Sequence, residues 1–328
     1  MSALPQVVPR PWRSVVLLRT LPHGGIPDPA QGARVTSEVR VKASRRYGTL
    51  SPLRYPGGKA ALAGLFADLI DELGLREAVY VEPYAGGAGA GIALLRERRV
   101  SKLVINDIDP AVHAFWRSVT ERNQDFVDWV ASAPLTVEEW GRQRAIYRSA
   151  ASDFFDRGRA FFYLNRTNRS GVLNAGVIGG KAQAGTYKIG ARFNRATLVD
   201  RLSALGELAD AIEVTDLDGR SVIQRYGAKR STFMYIDPPY VQAGSQLYLN
   251  AFDGRDHQAL ARVIGQITKA DWLLTYDLAP LVEKLYAEHF QATLDLNYSA
   301  RHPGYAQELV VASRRVADVL RPADEATA

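Results

Sequence analysis

Short apolar runs alternate with amphipathic segments along most of the chain beyond residue 60. Apolar positions recur every three or four residues over 60–73, and this spacing predicts a helix. Runs too short for a helix predict strands, and they lie at 79–81, 103–105, 212–214, 233–236 and 272–275. Strands that alternate with helices predict an α/β fold with a mostly parallel sheet, whose ligands bind at the carboxyl ends of the strands.

Two parts of the chain depart from this rhythm. Strand-like runs at 291–298 and 307–313 are joined by Arg-His-Pro-Gly at 301–304, and this arrangement predicts an antiparallel hairpin. Between 136 and 201 the alternation is lost, because two arginine-rich helical stretches are followed by a glycine-rich piece at 170–190. We therefore expect an inserted, mainly helical second domain at 136–201.

The first 48 residues are rich in Pro, Gly and Arg and show no sustained periodicity. We expect a disordered basic extension there, either a functional arm or the product of an upstream start codon. The expected organisation is then an extension at 1–48, an α/β domain at 49–135 and 202–316, the insertion at 136–201, and a tail at 317–328.

The net charge of +6 is unevenly distributed along the chain. The extension alone carries +6, the segment 142–201 carries +9, and the rest of the chain is therefore at −9. A basic block within an acidic body fits a surface that faces a polyanion, attached to a domain with a different task. A solvated basic face would show the same charges, and charge alone leaves both interpretations open.

Composition excludes several kinds of chemistry. The chain has no cysteine, which excludes disulfides, thiolate zinc sites, iron–sulfur clusters and cysteine nucleophiles. Its five histidines show no metal-ligand spacing, so we expect no metal. No apolar run approaches the roughly 18 to 20 residues of a membrane span, and no signal peptide is evident. We expect a soluble, cytoplasmic, monomeric protein that does not contact a membrane.

The string Tyr-Ile-Asp-Pro-Pro-Tyr at 235–240 is the most informative one in the chain. Prolines fix φ near about −65° and donate no N–H, so the turn is rigid and its carbonyls accept hydrogen bonds. The exocyclic amine of a nucleobase is a poor nucleophile until acceptors hold its hydrogens, because its lone pair is delocalised into the ring. Asp237 and the Pro238 carbonyl could hold them while Tyr240 stacks on the base. The alternative is a plain turn with a surface Asp.

A second string, Val-Glu-Pro-Tyr-Ala-Gly-Gly-Ala-Gly at 81–89, predicts a strand, a glycine turn and a helix start. It fits neither the phosphate-cradling nor the dinucleotide pattern. Glu82 would repel a pyrophosphate but suits a cation such as the sulfonium of S-adenosylmethionine. Asp107 ends the next strand, where a carboxylate can accept both ribose hydroxyls. Ordinary α/β loops remain the alternative for both residues.

The loop Arg-Tyr-Pro-Gly-Gly-Lys at 54–59 precedes the first predicted helix. Lys59 at a helix start is electrostatically unfavourable, and this position hints at a bound carboxylate such as that of a methionine moiety. A solvent-exposed loop lysine is the rival interpretation.

Taken in order, these motifs resemble the DNA adenine-N6 methyltransferases of the Dam type. The cofactor loop comes first, then the glycine turn, an Asn-Asp-Ile-Asp strand end, a basic insertion and Asp-Pro-Pro-Tyr. Further similarities lie at 161–166, 191–194, 296–300 and 308–309, and the resemblance covers roughly 50–315.

The resemblance implies a Rossmann-like methyltransferase that moves a methyl group from S-adenosylmethionine to N6 of adenine in double-stranded DNA, by base flipping and direct displacement. The implied catalytic residues are Asp237, Pro238, Pro239 and Tyr240. The implied cofactor contacts are Tyr55, Gly58, Lys59, Glu82, Tyr84, Gly86, Gly87, Asp107, Asp218 and Asp237. The implied DNA contacts, all in the insertion, are Arg166, Asn168, Arg169, Lys181, Lys188 and Arg192.

Two departures from the family pattern limit what can be transferred. Tyr55 stands where the well-known Dam enzymes carry Trp, and 179–188 differs from those enzymes, so no recognition sequence is implied. Cytosine-N4 methylation poses the same amine problem but more often goes with Ser at the position of Asp237, and cytosine-C5 methylation requires a thiolate. A non-catalytic DNA-binding protein that has kept the fold is the rival class of function.

Overall fold

The computed structural model describes residues 17–20, 37–40, 50–54, 59–241, 252–297 and 305–321, with backbone alone for 17–20, 37–40, 295–297 and 305–306. Nine strands occur in these ranges: β1 (Leu17–Thr20), β2 (Ser37–Arg40), β3 (Val79–Glu82), β4 (Lys102–Asn106), β5 (Ile212–Thr215), β6 (Thr232–Ile236), β7 (Asp271–Asp277), β8 (Phe290–Asn297) and β9 (Tyr305–Ala312).

The same ranges contain eleven α-helices. They are α1 (Ala63–Glu72), α2 (Gly89–Arg96), α3 (Pro110–Glu121), α4 (Asn123–Ser132), α5 (Val137–Arg148), α6 (Phe154–Thr167), α7 (Arg195–Gly206), α8 (Gly219–Gly227), α9 (Gly254–Gly265), α10 (Pro280–Leu285) and α11 (Arg314–Leu320). A short 3-10 helix, Ala60–Leu62, precedes α1.

The strands form one sheet in the order β1-β2-β8-β9-β7-β6-β3-β4-β5. From β7 to β5 the five strands are parallel, and β9 lies antiparallel between β7 and β8. The prediction of a mostly parallel α/β sheet with an antiparallel C-terminal pair is therefore confirmed. The turn predicted at 301–304 lies outside the described residues.

The N-terminal extension contributes two strands that the sequence analysis did not predict. β2 pairs in parallel with β8, and β1 pairs antiparallel with β2 at the edge of the sheet. The expectation of disorder does not hold for these eight residues, which the sequence analysis missed because they lie in a segment rich in Pro, Gly and Arg and because β2 contains a single apolar residue. At the other end, the predicted tail at 317–328 begins inside α11.

Apolar side chains cover both faces of the central strands. Successive side chains of a strand point to opposite faces. Accordingly, Phe233 and Tyr235 of β6 join a core with α1 to α3, whereas Met234 and Ile236 join a core with α8, α9 and α10. The sheet is the middle of three layers, and the polar ends of its strands are left to form a site.

The helices of the predicted insertion share the first of these cores. Phe162 on α6 stacks on Phe115 of α3, with ring centroids 5.7 Å apart and an angle of 6° between the ring planes. Leu198 and Leu202 of α7 belong to the same cluster of buried side chains. The segment 136–201 thus differs from the rest of the chain in charge and rhythm, but its described helices do not pack around a core of their own.

Close packing of α6 on α3 depends on Gly158, and this gives a prediction about stability. A Cβ atom at Gly158 would lie 2.6 Å from the Ala114 carbonyl oxygen and 2.6 Å from Ser118 Oγ. We expect Gly158→Ala to lower the free energy of unfolding by about 1–3 kcal/mol, because α3 and α6 must separate.

Gly141 offers the matched control for this measurement. It lies exposed within α5, and a Cβ atom there would meet nothing within 4 Å. Gly141→Ala should raise the free energy of unfolding by about 0.5–1 kcal/mol, because it lowers the backbone entropy of the unfolded chain. Urea denaturation of both variants measures the difference, and equal stabilities would contradict the inferred helix contact.

Candidate active site

The carboxyl ends of β3, β4 and β6 lie side by side and bring polar residues from distant parts of the chain together. In the register of the sheet, Glu82 on β3 is opposite Ile105 on β4, and Val81 is opposite Met234 on β6. Asp107 follows β4 directly, and Asp237 follows β6 directly. The sequence motifs at 81–89, 106–109 and 235–240 therefore meet at one edge of the sheet, as predicted for a parallel α/β fold.

Lys59 lies at the centre of a buried ionic network at this edge. Its ammonium nitrogen is 2.9 Å from Asp237 Oδ2, 3.3 Å from Glu308 Oε1 and 3.0 Å from the Tyr240 hydroxyl oxygen. Lys59 is 7% exposed and Glu308 is 3% exposed. The carboxylates next to Lys59 in this structure are thus the protein's own, and one cation lies between two anions.

The other oxygen of Asp237 is also held. Thr275, on the neighbouring strand β7, donates its hydroxyl to Asp237 Oδ1 at 2.9 Å. The Tyr235 hydroxyl in turn lies 2.7 Å from Thr275 Oγ1. After Pro238 and Pro239 the turn is closed by the Val241 amide, which donates to the carboxylate of Asp277 at 3.0 Å. These contacts orient the Asp237 carboxylate before any ligand is bound.

Two residues of this network received no role from the sequence. Thr275 could not be identified without the register of β6 and β7, because nothing in its sequence context distinguishes it. Glu308 had a detectable signal, since it is a charged residue directly before the apolar run Leu-Val-Val-Ala of β9. A buried acid in such a strand needs partners, and Lys59 and Tyr240 supply them.

The glycine turn after β3 is shaped by backbone conformations in the left-handed region. Gly86 has a φ of 47° and Ala88 a φ of 45°. Ala88, the residue before α2, has no side chain that could accept a hydrogen bond from the first amides of the helix. Glu82 takes over this role and accepts a hydrogen bond from the Gly91 amide at 3.0 Å. Burial raises the pKa of Glu82 to about 8, so that this carboxyl is largely protonated at neutral pH. Gly87 is buried in the same turn.

Asp107 spans the glycine turn and the start of α3. It accepts hydrogen bonds from the Gly86 amide at 3.0 Å and from the Asp109 amide at 3.0 Å. Burial raises the pKa of Asp107 to about 7 and outweighs the opposite effect of these two amides. Each carboxylate oxygen keeps further acceptor capacity for a ligand.

Asn106 fixes the three segments around Asp107, a role that the sequence analysis did not assign. Its side chain is fully buried and donates to the carbonyl oxygens of Pro83 at 2.8 Å and Leu217 at 2.9 Å. Its carbonyl oxygen accepts from the Thr215 hydroxyl at 2.8 Å and from the Leu217 amide at 2.9 Å. All hydrogen-bonding groups of the side chain are therefore engaged in joining the ends of β3, β4 and β5.

Apolar side chains are exposed beside this polar edge. Ile108, directly after Asp107, is 47% exposed, and Leu217 is 38% exposed. Both lie beyond the carboxyl ends of strands, where α/β proteins bind ligands. They could cover the face of an aromatic ring, and the sequence analysis missed both.

Tyr84 and Asp218 lie on the other side of the glycine turn. Tyr84 packs against Gly219 so closely that a Cβ atom there would lie 2.4 Å from the tyrosine ring. Its hydroxyl is buried and has no hydrogen-bond partner among the residues that the structure describes. Asp218 caps α8 and pairs with Arg220 at 2.6 Å, so that its charge is largely neutralised. Tyr55 and Gly58, two further predicted contacts, lie outside the described residues.

Comparison with protein-family models identifies the family. The model of the D12 class N6 adenine-specific DNA methyltransferases matches residues 55–298, which is more than half of the chain. The chain belongs to this family. The resemblance inferred from the motifs is thereby confirmed, and the protein is an adenine-specific DNA methyltransferase whose substrate is DNA. A search of curated proteins found no match to the chain.

Four arginines of this methyltransferase lie within electrostatic range of one another, one before Lys59, one at the end of α6, one just before α7 and one within α7. We call Arg54, Arg166, Arg192 and Arg201 the arginine cluster. Burial and the charges of the other three members lower the pKa of Arg166 to about 10, a value at which it still carries its charge. Within the described part of the chain, its Nε atom is buried without a hydrogen-bond partner.

Acidic residues on α6 do not neutralise the predicted DNA-binding arginines. Asp153 accepts a hydrogen bond from the Asp156 amide at 2.7 Å and so caps the helix. Asp156 pairs with Arg159. These two carboxylates therefore have partners other than Arg166 and Arg169.

Asn168 has a different place from the one that the sequence suggested. Its side chain is fully buried, accepts from the Trp140 indole at 2.7 Å, and donates to the carbonyl oxygens of Val172 and Leu173 at 2.9 Å each. A side chain with all its polar groups engaged inside the protein does not reach a ligand. The prediction that Asn168 contacts DNA is therefore replaced by a role in holding the loop after α6.

The remaining predicted DNA contacts, Arg169, Lys181, Lys188 and Arg192, are exposed. The guanidinium of Arg192 lies 5.7 Å from the centre of the Tyr187 ring, and Tyr187 is 64% exposed. An exposed aromatic ring beside arginines is typical of surfaces that bind nucleic acids. The sequence analysis did not single out Tyr187, although it lies in the basic segment.

Neither a metal-binding group nor a membrane-spanning helix is found among the described residues. These residues contain no group of three or more His, Cys, Asp or Glu side chains placed to hold a metal ion. None of the helices within those ranges is both long and apolar enough to cross a membrane.

Proposed function

We propose that this methyltransferase transfers a methyl group from S-adenosylmethionine to N6 of an adenine that it flips out of duplex DNA. The observation that carries the proposal is the position of the Asp237 carboxylate, held by Lys59 and Thr275 at the end of β6, in a rigid proline turn that ends at Tyr240. An amine placed in this turn would have the Asp237 carboxylate and the Pro238 carbonyl as acceptors.

The residues of the turn would divide the work as follows. Asp237 and Pro238 accept the two amine hydrogens, so that electron density returns from the adenine ring to N6. Pro239 keeps the turn rigid, and Tyr240 stacks on the flipped base. Stacking on an aromatic ring returns about 1–3 kcal/mol, which offsets part of the few kcal/mol that flipping costs. As the new N–C bond forms, the amine becomes acidic, and Asp237 is placed to take its proton.

The edge of the sheet fits the proposed cofactor in charge and shape. S-adenosylmethionine supplies the methyl group on a sulfonium that leaves as a neutral thioether. Asp237 and Glu308 outnumber the one ammonium of Lys59, so the network has a net negative charge that suits a sulfonium. Asp107 offers acceptor oxygens to a ribose, and Ile108 and Leu217 offer apolar surface to an adenine.

Further cofactor contacts are proposed at residues that surround this surface. The resemblance suggests Lys59 as a contact for the cofactor carboxylate, but Asp237 and Glu308 already contact its ammonium group. The glycine turn at Gly86 and Gly87 would permit close approach of the cofactor. The buried Tyr84 hydroxyl, which lacks a partner among the described residues, fits a contact with the ligand. Tyr55, Gly58, Glu82 and Asp218 remain candidates from the resemblance.

The DNA would lie against the basic segment 136–201, for which we propose the role of target-recognition region. Phosphates attract arginines that lack a carboxylate partner. Arg166, in the arginine cluster, is not paired with Asp153 or Asp156, because these two carboxylates have other partners. Arg169, Lys181, Lys188 and Arg192 would add exposed phosphate contacts, and Tyr187 an exposed ring for stacking.

Methyl transfer itself is the direct test. Purified protein, tritiated S-adenosylmethionine and unmethylated duplex DNA should yield N6-methyladenine, identified by mass spectrometry of the nucleosides. We expect Asp237→Ala to lower the turnover rate by at least about 100-fold, since it removes the acceptor of the amine, with DNA affinity changed less than about twofold.

Asp210→Ala, at an exposed position away from the site, is the control and should keep the parent rate. Turnover of Asp237→Ala within about tenfold of the parent, or about 1.4 kcal/mol of barrier, would refute the assigned role. A product methylated on cytosine would refute the proposed base.

Cofactor affinity should depend on pH through Asp107. Its carboxyl is protonated below its pKa of about 7 and then loses part of its acceptor capacity toward a ribose. We expect S-adenosylmethionine to bind more weakly, by at most about tenfold, at a pH about one unit below that pKa than at a pH one unit above it. Isothermal titration calorimetry measures this difference.

Asp107→Asn is the matched variant, since an amide of the same shape does not titrate. It should bind more weakly at every pH and lose the step near neutral pH, which separates Asp107 from Glu82 with its pKa of about 8. An unaltered step in the variant would show that another group causes it.

Salt should weaken DNA binding steeply, and the slope should report on the basic segment. We expect the double variant Arg166→Ala, Arg169→Ala to reduce the slope of log affinity against log salt by about 0.9 for each phosphate that these arginines neutralise in the parent protein. The control is Arg117→Ala, Arg122→Ala, because these arginines pair with Glu121 and Asp125 outside the segment. Equal slopes for the two double variants would place the DNA surface elsewhere.

A further inference from the structure

Two carboxylates lie close enough to accept a hydrogen bond from the Tyr240 hydroxyl, which has only one proton to donate. It lies 2.6 Å from Glu308 Oε1 and 3.2 Å from Asp237 Oδ1, while the Lys59 ammonium donates to it at 3.0 Å. A phenol carries one proton, so it donates a full hydrogen bond to one carboxylate at a time. The shorter of the two contacts identifies Glu308 as the carboxylate that accepts the hydrogen bond of the Tyr240 hydroxyl.

Asp237 Oδ1 is the acceptor that Tyr240 would use instead. This oxygen already accepts from the Thr275 hydroxyl at 2.9 Å, and Oδ2 accepts from Lys59 at 2.9 Å. A second hydroxyl on Oδ1 would occupy a lone pair that an incoming amine needs. The position of the Tyr240 proton therefore affects how well Asp237 can accept from a substrate.

Glu308 is placed on a rigid element to control that proton. It lies on β9, opposite Asp277 on β7 and opposite Leu294 on β8, and it is 3% exposed. Removing a carboxylate from water is costly unless partners compensate. The ammonium of Lys59 at 3.3 Å and the Tyr240 hydroxyl provide that compensation.

We propose that Glu308 is a positioning residue for methyl transfer, which accepts the hydrogen bond of the Tyr240 hydroxyl and thereby keeps Asp237 available for the amine of the substrate. The same contact fixes the ring of Tyr240 at its outer end. Glu308 lies beyond residues 55–298, the stretch matched by the family model, so that match assigns it no role. The proposal rests on the function proposed above.

A comparison of single and double variants tests this role. Glu308→Ala should lower kcat by about 10- to 100-fold with less than about threefold change in KM for DNA, because the Tyr240 hydroxyl then turns to Asp237. Tyr240→Phe keeps the ring and should cost less than about tenfold. The double variant should turn over about tenfold faster than Glu308→Ala, because the competing hydroxyl is gone.

Two further variants separate positioning from stability. Glu308→Gln keeps an acceptor oxygen for Tyr240 and should retain kcat within about fivefold of the parent. Glu308→Leu fills a similar volume without an acceptor. If the alanine variant unfolds, the double variant Glu308→Leu, Tyr240→Phe is compared with Glu308→Leu instead. Thermal melting of each variant shows whether it is folded under the conditions of the assay.

The possible results distinguish this proposal from the proposed function. If the parent protein methylates adenine but the double variants are no faster than Glu308→Ala and Glu308→Leu, the role of Glu308 is refuted and the function stands. A parent-like kcat in the folded Glu308→Leu variant would refute the role as well. A parent protein without methyl transfer to DNA would refute the proposed function, and the role of Glu308 with it.

Discussion

The ammonium group of Lys59 is the point on which the arrangement of the site depends. It joins the segment before α1, the turn after β6 and the strand β9, and it provides the positive charge beside two carboxylates, of which that of Glu308 is buried. Buried carboxylates without a cation would protonate or force their side chains outward. Because Lys59 is there, the carboxyl groups of Asp237 and Glu308 can lie close together at the edge of the sheet.

Charges of opposite sign are concentrated at two surfaces of the molecule, for which we propose different ligands. The edge of the sheet collects carboxylates, whereas the arginine cluster gathers cations, and burial together with their mutual repulsion lowers the pKa of Arg166. The acidic edge is less negative than its composition suggests, since Glu82 is largely protonated at neutral pH and Asp218 is paired with Arg220. Asp237 and Glu308 share the one ammonium group of Lys59.

The sequence predicted the strands of the central sheet and the meeting of its motifs, because period and strand ends are local properties. It also predicted that Asp107 and Asp237 directly follow strands of this sheet. It could not predict Thr275, whose contact with Asp237 depends on the register of β7. It also missed the strands β1 and β2, which lie in a segment rich in Pro, Gly and Arg without sustained periodicity.

Other differences arose because exposure cannot be read from residue type alone. Asn168 lies in a basic segment and has an amide side chain of the kind that can contact DNA, yet it is buried against Trp140. The segment 136–201 has its own charge and rhythm, yet Phe162 of α6 packs into the same core as Phe115 of α3. In both cases tertiary packing decides what local composition leaves open.

The shared core also connects the two proposed binding surfaces mechanically. Asn165, at the end of α6, accepts a hydrogen bond from the Arg54 amide and donates to the Arg54 carbonyl, each at 2.8 Å. Arg54 belongs to the arginine cluster, and four residues separate it from Lys59. The backbone of Arg54, which lies shortly before Lys59 in the sequence, is therefore fixed to the end of α6. The helix that carries Arg166, a proposed DNA contact, and the residue that begins the motif of Lys59 are thus joined by two hydrogen bonds between described residues.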